Sequence, residues 1–121
     1  MKLTIKQSYI AMFLFLDECY AISQDDALGG LLGSMVPYLT HDPMPMDSAK
    51  WADWIECVEK TATHDRNELD EQEAFQAMKE FLELYKTEFG FDLTWIIAEV
   101  NKAESKEKWK KYVHEAMTYE V

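Results

Sequence analysis

Slid back on itself by 66 positions, the chain lays Leu69 to Leu82 over Leu3 to Leu16. Leu3/Leu69, Ala11/Ala77, Met12/Met78, Phe15/Phe81 and Leu16/Leu82 then coincide, and Tyr9/Phe75 is an aromatic pair. The matches fall mostly on helix-face positions, so what repeats is a buried stripe. The repeat extends further. Leu28, Leu31, Leu32 and Met35 match Leu93, Ile96, Ile97 and Val100 after a one-residue slip, and Trp51, Trp54 and Ile55 match Trp109, Tyr112 and Val113 once a proline loop is set aside. Three amphipathic helices alone leave too much apolar surface in water, so two such units are expected to share one core.

The boundaries of these helices are marked by caps and breakers. Thr4 and Gln7 have the spacing of a capping box, opening a first helix that runs to about Ala21. Tyr9, Ile10, Met12, Phe13, Phe15, Leu16 and Cys19 make that helix apolar nearly all round, which predicts the central position. Ser23 to Asp26 starts the second helix, with two acids where the helix dipole favours them. Its Gly29, Gly30 and Gly33 are poor helix formers and point to close approach of this helix to a neighbouring backbone, the alternative being a helix loosened for function. Pro37 to Met46 carries all three prolines and is the one long irregular segment. Asp47 or Ser48 caps the third helix, and Thr61 to Glu68 is a polar linker. Asp70 and Glu73 make a second capping box before a helix with core residues Ala74, Phe75, Ala77, Met78, Phe81, Leu82 and Tyr85, stopped at Gly90. Asp92 and Ser105 are the expected caps of the last two helices. The expectation is an all-α chain: six helices in a single domain over residues 1–121, built as two three-helix repeats (about 3–60 and 69–118) about a pseudo-twofold axis.

Acidic residues number 23 against 12 basic ones, a formal charge of −11. Such an excess repels nucleic acid and anionic membrane surfaces and attracts a cationic partner. From Thr61 to Val100 alone the sum is −7. Part of this is a solvated face and part complements helix dipoles, which accounts well for the first turn after Asp70. Cys19 and Cys57 lie among apolar neighbours and read as small core residues in a reducing cytoplasm. The apolar run from Tyr9 to Leu16 is too short to span a bilayer and lacks a signal-peptide cleavage site.

Sequence motifs for catalysis are scarce. His41-Asp42 and His64-Asp65 fall on expected loops with no partner at metal-ligand spacing, and ordinary turn chemistry accounts for both. Gly29 to Gly33 has neither the Lys of a phosphate-binding loop nor a preceding strand. Adjacent carboxylates such as Asp17/Glu18, Asp25/Asp26 and Asp70/Glu71 point in different directions on a helix. The sequence therefore predicts no enzyme, no cofactor and no metal.

Thr4-x-x-Gln7, then Asp25-Asp26-x-x-Gly29-x-Leu31-Leu32, then Trp51-x-x-Trp54 give the chain a family look. It resembles the small acidic helical immunity proteins of bacterial contact-dependent growth inhibition and related polymorphic toxin systems. The resemblance runs over most of the chain and rests on fold-making residues. It implies a cytoplasmic antitoxin that binds a cognate basic toxin domain, a nuclease, and blocks its active site. Candidate partner-binding acids are Asp25, Asp26, Asp47, Asp53, Glu56, Asp70, Glu71 and Glu73, with Tyr38 and Trp51 as aromatic anchors. Neither nucleic acid nor membrane is an expected partner. Two alternatives stand beside this reading: a small metal- or ligand-binding enzyme using the 37–46 loop, and a helical adaptor or nucleic-acid-mimicking inhibitor.

Overall fold

The computed structural model describes residues 2–35, 48–61 and 68–119. The proline segment, most of the polar linker and the candidates Tyr38 and Asp47 lie outside the described residues, as do His41, Asp42, His64 and Asp65. Two short strands and six helices follow in the order β1 (Leu3–Thr4), α1 (Ile5–Ser23), α2 (Asp26–Met35), α3 (Ser48–Thr61), β2 (Glu68–Leu69), α4 (Glu71–Phe89), α5 (Thr94–Val100) and α6 (Ala103–Ala116). With 83% of the described residues helical, the chain is all-α as expected.

The two strands were not expected. They pair antiparallel, Leu3 opposite Leu69 and Thr4 opposite Glu68, and each leads directly into a helix. Both helix starts are the capping boxes read from the sequence. Thr4 and Gln7 exchange side-chain-to-backbone bonds of 3.0 Å, and Asp70 and Glu73 do the same at 2.7 and 3.0 Å. Each box satisfies two N–H groups that would otherwise lack partners and stabilises its helix by about 1 kcal/mol.

Helix α1 is the axis of the core. Its Tyr9, Ile10, Met12, Phe15, Leu16 and Cys19 are buried, Phe13 sits at the edge, and it packs against α6 and α2 while touching α3 and α4. It runs two residues past Ala21, because Gln24 takes the left-handed conformation (φ 56°) and closes the helix by bonding back to the Tyr20 carbonyl. Around Phe15, the rings of Phe75, Trp109 and Tyr112 stand edge-on at 5.7–6.4 Å. Helix α3 lies antiparallel on α4, with Trp54 against Phe81 and Asp53 against Tyr85. The indole of Trp54 donates to the Ile5 carbonyl (3.4 Å) and that of Trp109 to the Glu71 carbonyl (2.9 Å), so both large side chains are buried with their polar atom satisfied.

Two expected caps take other roles. Asp92 stands two residues before the first residue of α5, and its carboxylate meets the Thr94 hydroxyl (2.9 Å) instead of a helix N–H. Ser105 lies inside α6, which begins earlier, at Ala103; it is buried and donates to the Glu99 carbonyl (2.6 Å), pinning α5 to α6. Of the three clustered glycines, only Gly29 is closely packed, and against a side chain where a backbone was expected: a Cβ there would come within 2.6 Å of the Tyr20 ring. Nothing lies within 4 Å of that position at Gly30 or Gly33. No helix among the described residues is long and apolar enough to cross a membrane.

Candidate interaction surface

The antiparallel pair α3–α4 presents the most acidic surface of the described chain. Ser48–Thr61 and Glu68–Phe89 together hold ten carboxylates against four lysines, whereas α6 holds three glutamates against four lysines. Position sharpens the contrast. Lys50 and Lys79 are half-buried, their ammonium groups lying 4.7 Å over the Tyr85 ring and 4.9 Å over the Phe75 ring. Glu56, Glu59, Glu83 and Glu88 are exposed. A lysine drawn onto a ring keeps its charge but is less exposed than Glu56, Glu59, Glu83 and Glu88; Lys60 and Lys86 stay in solvent with them.

Beneath this surface lies Cys57. Burial pushes its thiol up to about 12; Lys60 opposes the shift, and the nearby carboxylates of Glu56, Glu80 and Asp53 add to it. Cys19 is likewise pushed up to about 11 by burial, with Glu99 adding to the shift. Both are free thiols, buried and protonated at neutral pH, and so poor nucleophiles.

The candidate acids divide by what they already hold. Asp25 accepts the Leu28 N–H at 3.1 Å and so caps α2, while Asp26 is exposed at the first position of that helix. Asp70 and Glu73 are the α4 capping box. Asp53 accepts the Tyr85 hydroxyl, a bond that ties α3 to α4. Glu71 is half-buried beside the box, and Glu56 is exposed on α3. Trp51 is half-buried, its ring edge-on to Tyr9 at 5.6 Å. The fold thus brings Asp53, Glu56, Asp70, Glu71 and Glu73 onto the α3–α4 layer and leaves Asp25 and Asp26 on α2, which packs against α1.

Two adjoining depressions follow α4. One of about 330 Å³ is lined by residues including Thr61, Gln72, Gln76 and Lys106, and one of about 200 Å³ by residues including Glu80, Glu83, Ile97 and Asn101; both share Gln76 and Lys79. Among the described residues, no group of three or more His, Cys, Asp or Glu is placed to hold a metal ion.

Sequence reasoning overlooked the exposed aromatics. Phe89 and Trp95 are 56% and 37% exposed, and with Ile22 they are the large apolar side chains left in solvent among the described residues. The signal was available: Phe89 follows Tyr85 by four residues yet abuts the Gly90 stop, and Trp95 falls off the Leu93/Ile96/Val100 stripe of α5. Compared with known protein families, curated proteins and solved structures, the chain matches none of them.

Proposed function

We propose that this protein is an immunity protein that neutralises a cognate basic toxin domain, a nuclease, by laying the α3–α4 surface over its phosphate-binding cleft. The observation that carries this reading is the charge arrangement on that layer: two of its four lysines are withdrawn onto rings while Glu56, Glu59, Glu83 and Glu88 reach into solvent. A nuclease cleft that grips phosphates with Lys and Arg meets on such a surface the same sign of charge as its substrate. Opposite fields steer the encounter, raising association to roughly 10⁸ M⁻¹s⁻¹ at low salt. The acids that cap helices or bind Tyr85 hold this surface rigid, and the exposed ones meet the partner. Two buried free thiols are in keeping with a site of action in the reducing cytoplasm.

The test is genetic and then physical. The toxin domain encoded beside this chain, expressed alone, should arrest growth; co-expression should restore growth and yield a stable complex. The double variant Glu56→Lys/Glu59→Lys should lose protection. If no toxin gene lies alongside and the chain recovers no basic toxin fragment from its host, the proposal is dead.

We also infer that the two halves are copies of one three-helix unit. Supporting this are the pairing of Leu3 with Leu69, the two capping boxes, and the bonds from Trp54 and Trp109 to the first residues of α1 and α4. In that register Trp54, not Trp51, is the counterpart of Trp109.

A further inference from the structure

We draw no further inference here: the strongest candidate, the hollow of about 330 Å³ along α4 lined by Gln72, Gln76, Lys79 and Lys106, carries nothing, because the Glu73 carboxylate lines it beside the two lysines and nothing in the structure shows what fills it.

Discussion

Asp70 and Glu71 are neighbours with different work. The Asp70 carboxylate is bonded to the Glu73 N–H, whereas Glu71 offers its backbone carbonyl to Trp109 and its half-buried side chain caps nothing. Asp70→Ala should therefore cost about 1 kcal/mol in a denaturant melt and Glu71→Ala less than about 0.5 kcal/mol. The glycines of α2 separate in the same way. Gly30→Ala should stabilise by roughly 0.4–1 kcal/mol, and Gly29→Ala should forfeit that gain because the Tyr20 ring has to swing aside. Burial raises the folded pKa of Cys57 from 9.0 to about 12. Its contribution to stability is full below about pH 9 and is lost as pH climbs toward the folded value, since the unfolded thiol ionises first. Between those limits the wild-type unfolding free energy should fall more steeply with pH than that of Cys57→Ala, by up to about 1.4 kcal/mol per pH unit. The caps at Asp70 and Glu73 were readable from spacing alone. The bond between Asp53 and Tyr85 was not, since it joins residues far apart in the chain whose meeting depends on how α3 packs on α4.

The helices themselves were readable because each buries one stripe, and stripes survive in the sequence as periodicity. Helix α5 shows the limit. With seven residues it has too few turns to fix its own start, so Asp92 was read as its cap although the helix begins at Thr94. The strands β1 and β2 are two residues each, too short to display alternation, and their partner is chosen by the fold. The proposed repeat lays Leu3 over Leu69, and these two residues face each other across the ladder. If the halves are copies, Trp54→Phe and Trp109→Phe should destabilise to within about 0.5 kcal/mol of each other, each losing one buried hydrogen bond and some packing. Thermal or urea melts that separate them by several times that amount would count against the duplication.

For the molecule as a whole, the acidic total was plain from composition, but its placement depended on which lysines fold onto rings. Lys50 and Lys79 look like any other surface cation in sequence, and it is tertiary structure that sets them over Tyr85 and Phe75. If the proposed antitoxin reading holds, association with the cognate toxin domain in stopped-flow mixing should slow steeply as salt is raised, with a smaller effect on dissociation. The arrangement of helices has a further result during synthesis. Helix α1 covers its apolar sides with α6, Gln7 bonds to the Tyr119 carbonyl, and Leu3 waits for Leu69. Helix α1 thus leaves the ribosome well ahead of the helix that covers it, and is sheltered from water only once α6 has followed. Until α6 emerges, the nascent chain carries an oily rod that chaperones must tolerate, and nascent chains stalled before α6 should remain sensitive to protease.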